Sequence, residues 1–168
     1  MITPYEIIFE ELNKENVKFI LVGGLAVVLH GHQRLTADID LVIQLKKDNL
    51  EKAIRALQKL EYKPRPPVPF EQFADEEIRN SWIKDKGLMV FSLASTKLKE
   101  VEIDLFVKEP FDFETAFQRS EKLDLDKTYV HIASIDDLIS MKQKASRPVD
   151  LEDIHVLKLL KKAKNHES

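Results

Sequence analysis

Apolar positions recur along this chain with two periods, one near two residues and one near 3.6, and the alternation lays out a run of helices and strands. Thr3, Pro4 and Glu6 combine a hydroxyl cap, a proline in the first turn and a capping-box acid, which opens a helix running to about Lys14. Residues 17–22 predict a buried strand that stops at Gly23 and Gly24. Residues 25–29 are unbroken and apolar, so pattern alone fits strand or helix. A glycine pair after a strand, with Gly31 as a stop, selects helix. Residues 38–44 read as a second strand, in which Asp38, Asp40 and Val42 alternate with Ile39, Leu41 and Ile43.

The spacing of Leu50, Ile54, Leu57 and Leu60 predicts an amphipathic helix over 48–60. Pro64, Pro66, Pro67 and Pro69 then form a stiff extended connection. Strands are expected at 81–84 and 88–93 around a turn at 85–87, and residues 99–107 alternate over their whole length as a further strand. A short helix near 114–119, a strand near 129–132 and two closing helices from about 134 and 150 complete the order. The expected class is α+β, a mixed or antiparallel sheet flanked by helices. One domain over 1–168 has its core at about 17–132 and its C-terminal helices at about 134–162.

A chain of 168 residues buries roughly 70% of its unfolded surface, enough for one core without staples. With 26 basic and 29 acidic residues the net charge is −3, which argues against a protein that coats nucleic acid over its whole surface. There is no cysteine, so disulfides, thiolate zinc sites and cysteine nucleophiles are excluded. The start lacks the pattern of a signal peptide, and the longest apolar run, 19–29, is shorter than the roughly 20 residues that span a bilayer. A cytoplasmic protein with no membrane partner is expected.

The candidate chemistry lies in the acids. Asp38 and Asp40 are two apart on an expected strand and so share a face. Two carboxylates about 4 Å apart repel by several kcal/mol at an effective dielectric near 20, unless one is protonated, basic groups surround them or a cation lies between them. Hard oxygen ligands suit Mg²⁺, with Mn²⁺ as an alternative. On the strand at 99–107, Glu100, Glu102, Asp104 and Phe106 share one face. If the two strands are neighbours, Asp104 joins Asp38 and Asp40, with Glu102 as its competitor.

Gly23 and Gly24, between a strand and a helix, let backbone N–H groups approach a phosphate, and Arg34 and Thr36, just before the acidic strand, are candidates to hold phosphate oxygens. Lys142 falls inside the apolar stripe made by Ile135, Leu138, Ile139 and Ala145. It must snorkel, pair with an acid such as Asp150, or bring its ammonium to a phosphate. His30 and His32 flank one glycine, too small a set for zinc, and read as a helix end or loop. Asp150 and Asp153 read as a helix start. Trp82, Phe91 and Phe106 fit either the core or a base-stacking platform.

Val22-Gly-Gly24 followed by Asp38-Ile-Asp-Leu41 resembles the signature of the DNA polymerase beta-type nucleotidyltransferase superfamily. The longer stretch, Gly23-Gly-Leu-Ala with Arg34-Leu-Thr-Ala-Asp-Ile-Asp-Leu41, is similar to its small prokaryotic branches. These are the antibiotic nucleotidyltransferases and those of abortive-infection and toxin–antitoxin systems. Residues 132–142 and 147–154 look like the late segment of the same branch, a resemblance by which Asp150 and Asp153 look functional as well as helix-starting.

The resemblance implies a nucleotidyltransferase-like fold with C-terminal helices, and a triphosphate cradled by Gly23 and Gly24. It implies Mg²⁺ on Asp38 and Asp40, and Asp104 completing the site. The reaction it implies is attack of an acceptor hydroxyl on the α-phosphate with release of pyrophosphate. The acceptor would be a small molecule, a tRNA end or a protein hydroxyl, and a toxin–antitoxin member would have a cognate partner. Many members carry Gly-Ser where this chain has Gly23-Gly24, so phosphate binding here must rest on backbone and basic groups. A non-catalytic nucleotide-binding or antitoxin module of the same fold is the alternative, and a metal-dependent phosphoesterase is a third reading.

Overall fold

The computed structural model describes residues 3–167, built as seven α-helices and seven strands in chain order. The first helix, α1 (Pro4–Lys14), has the capping box expected of it. Glu6 N donates to Thr3 Oγ1, and Thr3 N donates to Glu6 Oε2 at 2.8 Å. Strand β1 (Phe19–Val22) leads into α2 (Gly23–His30), which Gly31 ends at φ 126°. Strand β2 (Ile39–Ile43) and α3 (Lys47–Lys59) follow. Next come β3 (Tyr62–Pro64), a 3₁₀ turn at Phe70–Ala74, α4 (Glu76–Lys86), β4 (Val90–Ser95) and β5 (Ile103–Phe106). The last third comprises α5 (Phe113–Arg119), β6 (Glu121–Asp124), β7 (Tyr129–Ile132), α6 (Ile135–Ala145) and α7 (Pro148–Glu167).

The strands form one mixed sheet in the order β3-β4-β5-β2-β1-β7-β6. Only β1–β7 and β2–β5 are parallel. Parallel neighbours need a long crossover, and the stretch from α3 to β4 supplies one between β2 and β5. Helices α1 and α3 pack on each other, and Phe9 stacks with Phe19 at 6.1 Å between ring centres. Leu12, Ile20, Leu41, Leu50 and Leu57 are fully buried in the same core. Helices α6 and α7 pack together and both touch α2, which brings the C-terminal pair beside the glycine turn. No helix among the described residues is long and apolar enough to cross a membrane.

Two expectations fail. Residues 81–84 are not a strand but the second half of α4. Asp75 caps that helix by accepting from Ile78 N, Glu76 and Glu77 occupy its first turn, and Gly87 ends it at φ 62°. Those end signals outweigh the β-preferring Trp82 and Ile83. The strand expected over 99–107 is paired only at Ile103–Phe106, because Val101 N turns back to Leu98 O and Val101 O accepts from Tyr62 Oη at 2.8 Å. Its alternation persists outside the ladder, with Val101, Ile103, Leu105 and Val107 all buried.

Candidate active site

Asp40 is the second residue of β2 and Asp104 the second of β5, and the parallel register sets them opposite one another. Strands so paired lie about 4.8 Å apart, so the two carboxylates rise side by side from one face. Asp104 is also opposite Ser92 on β4, whose hydroxyl donates to Asp104 Oδ1 at 2.6 Å. Asp38 lies one residue before β2 and is exposed, at the mouth of the strand rather than within it.

Burial pushes the Asp40 carboxyl up to about 6, and the negative charges of Asp104 and Asp38 push the same way. Partial shielding from water at the strand mouth, then Asp104 and Glu102, also raise Asp38, and Arg65 opposes the rise. Asp38 and Asp40 therefore both feel the charge of Asp104, as the alternation along two strands implies. Glu102 is drawn off to an ion pair with Arg65 on the exposed side.

Gly23 has φ +72°, and a Cβ on it would lie 2.1 Å from Asp40 Oδ2. A Cβ on Gly24 would lie 2.5 Å from Arg34 Nη2 and 3.0 Å from Thr36 Oγ1. The glycine pair is thus the floor against which an acid, a guanidinium and a hydroxyl are packed. Thr36 is held in turn by Tyr5, whose hydroxyl donates to Thr36 O at 3.2 Å. Arg34 Nη1 donates to Leu35 O at 3.2 Å and Nη2 to Asp153 Oδ2 at 3.0 Å.

Lys142 is buried, and its Nζ lies 2.8 Å from Asp153 Oδ2 and 3.6 Å from Asp150 Oδ1. The expected partner Asp150 is present, but Asp153 is closer. A cavity of about 540 Å³ is lined by Gly23, Asp40, Asp104, Lys142, Arg147 and Asp150 among others, so these groups share one space. Arg34, Thr36 and Gly24 stand behind the glycine turn and outside that lining.

Asp153 is the residue that sequence reasoning undervalued. Asp150 does act at the start of α7, accepting from Arg147 N at 3.0 Å and from the Arg147 guanidinium at 2.7 and 3.1 Å. Asp153, three residues on, is fully buried and ties α6 to the loop before β2 through Lys142 and Arg34. Its Oδ1, His32 Nε2 and Arg34 Nε are buried without a hydrogen-bond partner, and His32 Nε2 lies 3.6 Å from Asp153 Oδ1. The one signal available beforehand was an acid on the face of a helix whose neighbour carries a lysine in its apolar stripe.

His30 and His32 sit at a helix end and in a loop, as expected, with His30 Nε2 2.8 Å from Ala133 O. Trp82 stacks on Phe91 at 5.1 Å and 5°, and Phe73 stacks on Phe91 at 5.2 Å, so this aromatic set is core. Of the three aromatics considered for a platform, only Phe106 lines the cavity.

Among the described residues no three His, Asp or Glu side chains close into a ready-made metal cage. The donor set still fits Mg²⁺, which takes one or two carboxylates and completes its shell with water and phosphate oxygens. Burial and its acidic neighbours raise Asp40, and Lys142 and Arg147 only partly oppose that rise.

A family model described as "Nucleotidyltransferase of unknown function (DUF6036)" matches residues 6–165. The chain belongs to that nucleotidyltransferase family. A lincosamide antibiotic adenylyltransferase, LnuA, solved with lincomycin bound, is 17% identical. It covers 95% of this nucleotidyltransferase and 98% of its own chain, with TM-score 0.58. The antibiotic-resistance factor ANT(2'')-Ia is 14% identical, covering 97% and 90%, with TM-score 0.57. An antigenic nucleotidyltransferase-like protein from Paracoccidioides brasiliensis is 18% identical, covering 90% and 72%, with TM-score 0.55. At these identities the likeness carries the fold. No curated protein matches the nucleotidyltransferase in sequence. Family membership makes the protein a transferase of nucleoside monophosphates.

Proposed function

We propose that the protein transfers a nucleoside monophosphate from a nucleoside triphosphate to an acceptor hydroxyl, with Mg²⁺ as cofactor and pyrophosphate as the second product. The observation that carries this reading is the register Asp40↔Asp104 on β2 and β5, with Gly23 and Lys142 in the same cavity. Asp40 and Asp104, with Asp38 at the strand mouth, would hold Mg²⁺, or Mn²⁺ in its place. The ion would supply charge neutralisation for the triphosphate.

The remaining chemistry falls to the chain. Gly23 brings the start of α2, where free N–H groups favour an anion, to the cavity, and Gly24 behind it lets Arg34 and Thr36 pack against the turn. Lys142, on the cavity wall, would meet the β- or γ-phosphate. Arg34 and Thr36 brace the glycine turn from behind, closer to a supporting role than to direct phosphate contact. The acceptor oxygen attacks the α-phosphorus, the bond to the bridging oxygen of pyrophosphate breaks, and Asp104 takes the hydroxyl proton. Ser92 fixes Asp104 Oδ1, which leaves the other oxygen to act.

A second reading has an observation of its own. Lys142 and Arg34 are already neutralised by Asp153, so both are less free for phosphate than unpaired cations. This counts against phosphate chemistry at Lys142 and favours an antitoxin or other non-catalytic module of the same fold.

One experiment separates the two. Each of four α-labelled triphosphates is incubated with the protein, Mg²⁺ and cell extract, and pyrophosphate and labelled acceptor are followed. Transfer that disappears in the double variant Asp38→Asn/Asp40→Asn supports catalysis. Triphosphate binding without pyrophosphate release supports the module. Unchanged Mg²⁺–nucleotide binding in the double variant removes the metal assignment.

A further inference from the structure

Beyond its carboxylates the active-site cavity continues into an apolar half. On β5 the next residue on the face of Asp104 is Phe106. The partner of Phe106 on β4 is Val90, just as Ser92 is the partner of Asp104. Two residues of strand advance about 6.6 Å, so the Phe106–Val90 pair lies one step along the sheet from the acid. Met89, 71% exposed, stands beside Val90, and Met141 contributes from α6. Lys144 and Arg147 add positive charge to the same cavity. Its acids are Asp40, Asp104 and Asp150, and Asp150 is already bound by Arg147.

We infer that this apolar half receives the acceptor, and that the acceptor is a neutral or anionic hydroxyl compound with a flat apolar ring, not a polycation. The inference rests on the proposed transfer, in which Asp104 takes the proton of the acceptor hydroxyl. A molecule with its hydroxyl at Asp104 has its body over Phe106 and Val90. A flat ring there gains offset stacking on Phe106 and sulfur contacts from methionines that adapt to its outline. An ammonium-rich acceptor would find no carboxylate among Phe106, Val90, Met89 and Met141, and Lys144 would repel it, while Arg147 is held by Asp150. A free small molecule and the terminal nucleoside of an RNA share the required chemistry.

The first test uses the full chain with chelator and without nucleotide, so it does not depend on catalysis. The probe is 8-anilinonaphthalene-1-sulfonate, which has flat apolar rings and one anionic group. Its fluorescence should rise with a saturable single-site profile. Phe106→Glu and Met141→Glu should each weaken binding at least tenfold, while Leu159→Glu, at an exposed position on α7, leaves it unchanged. Phe106→Ala serves where the charged variant fails to fold. Equal affinity in wild type and both cavity variants overturns the inference.

The second test follows α-label with Mg²⁺ into small molecules, total tRNA or the aminoglycoside tobramycin. Label in a small molecule or in RNA that also displaces the probe supports the inference and tells the two sources apart. Label in tobramycin, or in protein, overturns it. Loss of pyrophosphate release with every acceptor condemns the transfer reading, and the probe titration still decides what the cavity accepts.

Discussion

Asp153 holds Lys142 at 2.8 Å with both side chains nearly sealed from solvent, 0% and 8% exposed. The same carboxyl oxygen accepts from Arg34 at 3.0 Å, so one buried acid serves two cations from two other parts of the chain. Removing one member of a buried ion pair leaves the other without compensation and costs about 3–5 kcal/mol. Asp153→Asn should therefore lower the unfolding free energy by about that amount in a urea titration. Lys142→Met should cost less, since methionine refills the volume and Asp153 keeps Arg34. A larger loss from Lys142→Met would show that Asp153 is not the hub.

That pairing marks how far the sequence could be read. A lysine inside the stripe of Ile135, Leu138 and Ile139 has to find an acid or a phosphate, and this much follows from helical spacing. Which acid it finds depends on how α7 docks, and docking is non-local. Asp150 and Asp153 both look like a helix start because acids near an N-terminus usually are one. Asp40 and Asp104 were legible for the opposite reason. Alternation fixes the face of each strand locally, and only the β2–β5 pairing had to be supplied. The strand expected at 81–84 fails because Gly87, read as part of a hairpin turn, instead ends a helix that Asp75 caps at its start.

Gly23 and Gly24 should respond unequally to a methyl group. At Gly23 the backbone has φ +72° and the new Cβ would strike the Asp40 carboxylate at 2.1 Å. At Gly24 it meets the far end of the Arg34 side chain, which can move. Gly23→Ala should cost about 1–3 kcal/mol and greatly weaken Mn²⁺ binding, whereas Gly24→Ala should be milder on both counts. In Gly23→Ala/Asp40→Ala the contacts with the carboxylate are gone, while the approach to Cβ of residue 40 at 2.9 Å and the backbone strain persist, so the double variant should be less destabilised than the sum of its parts. Strict additivity would mean that Asp40 does not set the need for glycine.

Asp104 and Glu102 lie on the same side of their segment, yet their partners differ. Ser92 orients Asp104 toward the cavity, while Arg65 takes Glu102 to the exposed edge. Asp104→Asn should reduce kcat by about 10²-fold or more, the size expected when a proton acceptor is lost. Glu102→Gln should stay within a few-fold of wild type. Steady-state pyrophosphate release decides between them, and the reverse pattern would hand the third position to Glu102.

His30 supplies a pH test away from the carboxylates. Its ring is buried between the Ala133 carbonyl, 2.8 Å from Nε2, and Nδ1 contacts with Lys164 at 3.2 Å and Glu121 at 3.6 Å. Burial lowers its pKa below the ordinary value of 6.5. The Ala133 carbonyl opposes that fall, Lys164 adds to it, and Glu121 opposes it. The neutral ring fits its surroundings, with Nε2–H donating to Ala133 O and Nδ1 accepting from the ammonium of Lys164. A depressed histidine pKa means that the unfolded chain takes up its proton first as pH falls. The stability His30 contributes is therefore complete above the unfolded pKa, and it is lost as pH drops through about 6.5 toward the lower folded value. His30→Gln keeps an N–H donor in reach of Ala133 but cannot titrate. Urea unfolding at pH 8, 7, 6 and 5 should give wild type a steeper decline below pH 7 than His30→Gln. Parallel curves for the two proteins would mean that the ring charges as easily in the fold as in water, and the buried neutral histidine would have to be given up.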